Sequence, residues 1–198
     1  MSIFSLGIAT AVVVVANSAA AQVDDICATI ERELVATSTP SVAVAVAQHG
    51  KILWEEGFGW ADREKRIPAT ERTMYSLASI SKLIAATGLM VLVERGEIDL
   101  DRPLDDYLGD AKINGRAFGA SIERASGESY ADSMRREVFL PLGLTRMSVH
   151  IGPRLDDFTA TRYAPDGTPI PFYGFDHPGG SAVFASAHDL VRFGIFHL

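Results

Sequence analysis

A single cysteine, Cys27, stands among 198 residues, so no internal disulfide forms, and no paired Cys/His spacing suggests a structural metal. Cys27 reads as a small apolar residue on a helix face. Basic blocks are missing as well: 18 Lys plus Arg stand against 25 Asp plus Glu, a formal charge of -7, which repels nucleic acid instead of gathering it. No stretch repeats with a period of about 20 to 50 residues, which excludes solenoids and propellers. The 17 Gly and 9 Pro are scattered, not clustered. What remains, 47% hydrophobic against 22% charged residues, suits one ordinary globular domain with a small lobe folded onto it.

Charge is also absent from the front of the chain. Met1 to Val23 carries no charged side chain, and Leu6 to Ala16 is an apolar run broken only by Gly7 and Thr10. Ala19-Ala20-Ala21 supplies the small side chains that a signal peptidase accepts, and charge begins at Asp24. Residues 1–21 are therefore expected to be a signal peptide cut after Ala21, and 22–198 a periplasmic or secreted domain. The leader also lacks Lys and Arg, so an uncleaved N-terminal anchor helix stays open as the alternative. No later run reaches about 18 apolar residues, so no stable membrane span is expected after processing.

Past the leader, Ile26, Ile30 and Leu34 predict an amphipathic helix over Asp24 to Ala36. The strict alternation S-V-A-V-A-V-A from Ser41, a His49-Gly50 turn, and Lys51 to Glu55 predict a β-hairpin. Gly57 to Asp62 leaves that hairpin for a charged loop, so its glycines are not a dinucleotide fingerprint. Ser79 to Arg95 reads as a long helix buried on most sides, ended by Gly96. Further helices are expected from Leu100, over Ala111 to Ala125, and over Ser129 to Phe139. Gly143 to Gly180 is irregular. A capping box, Ser186 to Asp189, opens the last helix.

One constellation carries chemistry. Ser79-Ile80-Ser81-Lys82 is an S-x-x-K pattern in the first turn of the long helix. Residues three apart share a helix face, so the hydroxyl of Ser79 and the amine of Lys82 can meet. The helix start favours negative charge there. A serine hydroxyl is a poor nucleophile until a base takes its proton, and an amine held in an apolar site can be that base. The pattern alone is weak: with 15 Ser and 4 Lys, chance supplies about 0.3 copies in ordinary residue usage. By itself it fits a capping serine followed by a surface lysine better than a catalytic pair.

Its surroundings are more specific. V-A-V-A-V-A-Q-H-G-K-I-L-W-E-E-G-F-G-W-A-D followed by T-M-Y-S-L-A-S-I-S-K closely resembles the serine β-lactamase and penicillin-binding superfamily, particularly class C enzymes and related esterases. Leu92 to Asp101, Ile122 to Gly127, Pro141 to Leu144 and Ala182 to Phe193 resemble later segments of that superfamily. The resemblance implies an α+β fold of the β-lactamase/transpeptidase type: an antiparallel sheet flanked by helices, plus a helical lobe. It further implies an acyl-enzyme mechanism on an amide, lactam or ester, with Ser79 as nucleophile, Lys82 as proton acceptor and the Ser79 N–H as half of an oxyanion hole. The implied partner is a small-molecule or peptide-like acyl substrate; no cofactor or metal is implied. Ser76 and Ser81 have no catalytic role in that family and are read as cap or packing residues.

Two family elements have no counterpart. The Tyr-x-Asn element of the helical lobe is not found: Asp110-Ala111-Lys112 and Ile113-Asn114 follow Tyr107 too soon, as though a loop were deleted. Tyr107, Tyr130 and Tyr163 fall where the family has structural tyrosines. The strand bearing Lys-Thr-Gly or His-x-Gly is also missing, so the fold is expected to be incomplete. His150, His177 and His197 are isolated, and His188-Asp189 reads as cap chemistry. No G-x-S-x-G elbow supports a Ser-His-Asp triad. The alternative function is a non-catalytic remnant of the same fold that binds a ligand or a partner; a shortened product that does not fold alone is the third.

Overall fold

The Val/Ala alternation from Ser41 builds the first sheet. In the computed structural model, which describes residues 19–103, 105–108, 117–152, 155–172, 174 and 178–198, β1 (Ser41–Gln48) pairs antiparallel with β2 (Lys51–Asp62). The connecting residues His49 and Gly50 have φ of 51° and 75°, the two left-handed residues that match strand twist in a two-residue hairpin. Strand β2 continues past Glu55 and ends at Asp62, where the charged loop from Arg63 was expected to begin. It runs through Gly57 to Asp62 and adds the short β3 (Ile67–Pro68). Gly57 is needed there because a Cβ would lie 2.3 Å from the Thr70 Cα, so the returning loop can close only over a bare backbone.

Before the hairpin, α1 (Ala19–Thr37) packs on β2. Its half-buried stripe is Val23, Cys27, Ile30 and Leu34; Ile30 and Leu34 lie on it as expected, whereas Ile26 is 42% exposed and Cys27 takes its place. Cys27 is a free thiol on that face, with Sγ 3.5 Å from a Glu56 carboxylate oxygen. Residues 1–18 of the expected leader lie outside the described residues, and α1 runs without a break across the expected cleavage point after Ala21.

A second sheet places β8 (Phe184–Ser186) between β4 (Met74–Ser76) and β5 (Met147–Ser148), all antiparallel. A small ribbon joins β6 (Arg162–Tyr163) to β7 (Pro169–Ile170). The helices are α2 (Ser81–Glu94), α3 (Asp105–Leu108), α4 (Ala117–Ser126), α5 (Tyr130–Met134), α6 (Pro178–Ser181) and α7 (Ala187–Phe196). The Ser129 hydroxyl caps α5 by accepting from the Asp132 N–H at 3.1 Å. The predicted helix then widens into a π-helical turn, Arg135–Phe139, before Pro141 ends it. The helix expected over Ala111 to Ala125 is seen as α4; residues 109–116 lie outside the description.

The core forms where α2 meets α4, α5 and the β8 sheet. Ile84, Ala85 and Leu92 pack there with Ile122, Met134 and Val138. Gly88 lets α5 approach, since a Cβ would stand 2.4 Å from the Met134 sulfur.

One expectation fails clearly. Helix α2 is buried on one face only; Leu83 is 66% and Met90 51% exposed. Its outer side is only partly covered, by the end of α7, which leaves Ala86, Thr87 and Val91 half-buried.

Candidate active site

The chain enters α2 from β4 through Leu77 and a 3-10 turn, Ala78–Ile80. Ser79 thus sits on the turn, two residues before the α-helix begins. Ala78 has a φ of 45°, a left-handed conformation that an L-residue adopts only at a cost of about 1–2 kcal/mol, and Ser79 beside it is exposed. Val183, itself fully buried, clasps the turn from both sides. Its carbonyl accepts from the Leu77 N–H at 2.9 Å, and its N–H donates to the Ser81 hydroxyl at 3.1 Å. The residues flanking Ser79 are therefore fixed to the second sheet.

The S-x-x-K geometry is realised: the Lys82 amine donates to the Ser79 hydroxyl at 2.8 Å. Both residues are exposed, so the apolar enclosure expected for the amine is not formed by the described residues. The turn's first N–H groups, including that of Ser79, have no carbonyl one turn behind them within the helix, which leaves them free to face a developing oxyanion.

Ser81, in contrast, is fully buried and holds Val183. Ser76 lies in β4 opposite Phe184. Ser81 has the packing role expected of it, and Ser76 is half-buried. Sequence reasoning did not identify the Val183 clasp, although one signal was present: Ser79 and Ser81 are two apart and so face opposite sides of a helical turn.

None of the expected structural tyrosines bonds to the pair. The Asp99 N–H donates to the Tyr107 hydroxyl oxygen at 2.7 Å. Tyr163 donates to Glu64 at 2.6 Å and accepts from the Arg63 N–H at 2.8 Å. The Tyr130 hydroxyl is buried and has no partner among the described residues, and burial pushes its pKa far above the usual phenol value. Residues 110–114, where the Tyr-x-Asn element was sought, lie outside the description, as does His177.

Two histidine readings need correction. His188 is not cap chemistry: its Nδ1 lies 2.8 Å from a Glu55 carboxylate oxygen, joining α7 to β2. The Ser186 hydroxyl does cap α7 by accepting from the Asp189 N–H at 3.1 Å. The Asp189 carboxylate does not return to close the box; it accepts from the Arg146 N–H instead. That carboxylate is fully buried, and desolvation raises its pKa, opposed by the Arg146 N–H and by nearby cations. His197 is not isolated either, as its Nε2 lies 3.2 Å from the Thr87 hydroxyl on α2. Among the described residues no group of three His, Cys, Asp or Glu side chains converges as metal ligands would.

This serine–lysine turn lies in a chain whose residues 27–117 and 113–198 match the Beta-lactamase family model. The chain belongs to the beta-lactamase family. It is 42% identical over 69 residues to the human "Serine beta-lactamase-like protein LACTB, mitochondrial", covering 35% of this chain and 13% of that protein. It is 45% identical over 78 residues to "Esterase EstB" of Burkholderia gladioli, covering 39% of this chain and 19% of that one. Among solved structures, "Beta-Lactamase/D-Alanine Carboxypeptidase from Pseudomonas syringae" superposes with a TM-score of 0.77 at 19% identity, covering 87% of this chain and 64% of that chain. "D-alanine Carboxypeptidase AmpC from Burkholderia cenocepacia" gives 0.75 at 20% identity, covering 86% and 63%. The expected α+β fold is thus shown, and this chain spans less than two thirds of each of these proteins.

Proposed function

We propose that the protein is a serine hydrolase that opens an amide, lactam or ester through an acyl-enzyme on Ser79. The observation that carries the reading is the 2.8 Å contact between the Lys82 amine and the Ser79 hydroxyl on a strained, clasped turn. In the neutral form the Lys82 amine takes the Ser79 proton as Oγ bonds to the substrate carbonyl carbon, and the carbonyl π electrons move onto its oxygen. Collapse of the tetrahedral adduct breaks the bond to the leaving group, which receives the proton from the Lys82 ammonium. Water then attacks the acyl ester, giving the free acid and restoring the Ser79 hydroxyl. The Ser79 N–H, at the helix start, donates to the developing oxyanion.

We further read residues 1–21 as an export leader and 22–198 as the working domain in the periplasm or outside the cell. The charge-free front and the Ala19–Ala21 step support this. No helix of the described residues is long and apolar enough to cross a membrane.

The test is mass spectrometry of the intact protein after incubation with a penicillin and, separately, an activated ester. A covalent adduct mapped to Ser79 is expected, absent from Ser79→Ala. Lys82→Met should slow its formation by about 10²–10⁴-fold, the usual contribution of a positioned base. No adduct with either reagent refutes the catalytic reading and favours the non-catalytic remnant, whose binding would survive Ser79→Ala unchanged.

A further inference from the structure

We infer that Ser81 is a positioning residue for acyl transfer at Ser79, a role that rests on the acyl-enzyme reading above: its hydroxyl replaces a strand carbonyl and so holds the turn that carries the nucleophile. The register of the second sheet supports this. Strands β4 and β8 set Tyr75 opposite Ala185 and Ser76 opposite Phe184. The next pair is Leu77 and Val183, and the Leu77 N–H donates to the Val183 carbonyl at 2.9 Å. In an antiparallel ladder such a pair exchanges two bonds, the second from the Val183 N–H to the Leu77 carbonyl.

That second bond is not made. Leu77 has left extended backbone, with φ −85° and ψ −6°, and its carbonyl accepts from the Ile80 N–H at 3.0 Å to close the 3-10 turn. The Ser81 hydroxyl fills the place, accepting from the Val183 N–H at 3.1 Å. One side chain thus lets the strand bend into the turn without orphaning a buried N–H, which is otherwise heavily penalised.

The two bonds to Val183 bracket Ser79. Leu77 is fixed two residues before it and Ser81 two residues after, and both Val183 and Ser81 are fully buried. Only Ala78, Ser79 and Ile80 span the gap, with Ala78 at its left-handed φ of 45°, a conformation that persists where the surroundings over-determine it. Without the Ser81 bond the turn is tied to β8 on one side only, and Ser79 Oγ and N–H lose their fixed place relative to a bound carbonyl. A misplacement of about 1 Å costs about 10²-fold in rate. Lys82 follows Ser81 directly, so the same bond steadies the residue that carries the base. The Ser81 hydroxyl touches no substrate, being buried.

The test is the rate of Ser79 adduct formation on the full chain, followed by intact mass over a range of benzylpenicillin or p-nitrophenyl acetate concentrations and of pH. Folded Ser81→Ala is expected to react at least about tenfold more slowly at saturating reagent, with the half-saturating concentration within about twofold of the parent's and the pH profile unmoved, because Lys82 is intact. Its Val183 amide should exchange faster with solvent. Ser81→Thr keeps the acceptor and should restore the rate to within about threefold. Gly57→Ala, destabilised far from the turn, should react like the parent. Should Ser81→Ala fail to fold, Ser81→Cys, whose sulfur accepts only weakly, takes its place with the same expectation. A parent-like rate in folded Ser81→Ala overturns the proposal alone, as does equal slowing in Gly57→Ala, a displaced pH profile, or a Ser81→Thr protein as slow as Ser81→Ala. No adduct in the parent instead refutes the acyl-enzyme reading and this role with it.

Discussion

Replacing Ser81 by alanine separates the two serines of the S-I-S-K turn without reference to any substrate. The Ser81 hydroxyl is fully buried and accepts from the Val183 N–H at 3.1 Å. Truncation leaves that buried N–H without an acceptor, which costs about 1–3 kcal/mol. Taking about 2 kcal/mol from that range, and about 2–4 °C per kcal/mol for a chain of this size, Ser81→Ala should melt roughly 4–8 °C lower. Ser79 is exposed and, among the described residues, its hydroxyl bonds only to an exposed lysine, so Ser79→Ala should stay within about 0.5 kcal/mol of the parent. Urea unfolding and thermal melts followed by circular dichroism measure both. Equal effects for the two variants, or a Ser81→Ala loss below about 0.5 kcal/mol, would refute the claim that Val183 clasps the turn. If the clasp also positions Ser79, the folded Ser81→Ala protein should form the Ser79 adduct more slowly than the parent.

Gly57→Ala should destabilise the protein by about 1–3 kcal/mol, the usual cost of overpacking, because the new Cβ meets the Thr70 backbone at 2.3 Å; a urea midpoint equal to the parent's would contradict that contact. Ala78→Gly relieves a φ of 45° and should raise stability by about 1 kcal/mol, read by the same titration; a loss would show that Ala78 is unstrained. Asp189 has a folded-state pKa above its unfolded one. The folded state therefore holds its proton more tightly, and this group's contribution to stability falls as pH rises from the usual carboxylate range through the raised value. Asp189→Asn should flatten that fall and gain stability at neutral pH relative to acid, seen in melts across pH; an unaltered pH profile would show that the carboxylate is solvated.

Local sequence was sufficient where short-range sterics decide. The hairpin followed from side-chain alternation and from the one dipeptide, His49-Gly50, able to take two left-handed residues. The caps at Ser129 and Ser186 followed from a hydroxyl three residues before a free N–H. The Ser79–Lys82 contact belongs here as well, since one helical turn brings residues three apart together whatever surrounds them.

Burial and long-range pairing are another matter, because they depend on residues distant in the chain. The even hydrophobicity of α2 suggested burial on most sides, yet only the side facing Ile122, Met134 and the β8 sheet is fully covered. Two serines of equal local character in S-I-S-K differ because Val183, about a hundred positions away, bonds one of them. Asp189 likewise forsakes the predicted box for Arg146, and His188 for Glu55. Spacing along a helix determined which groups could meet; the second sheet, folded against that helix, decided which of them face solvent and which hold the structure together.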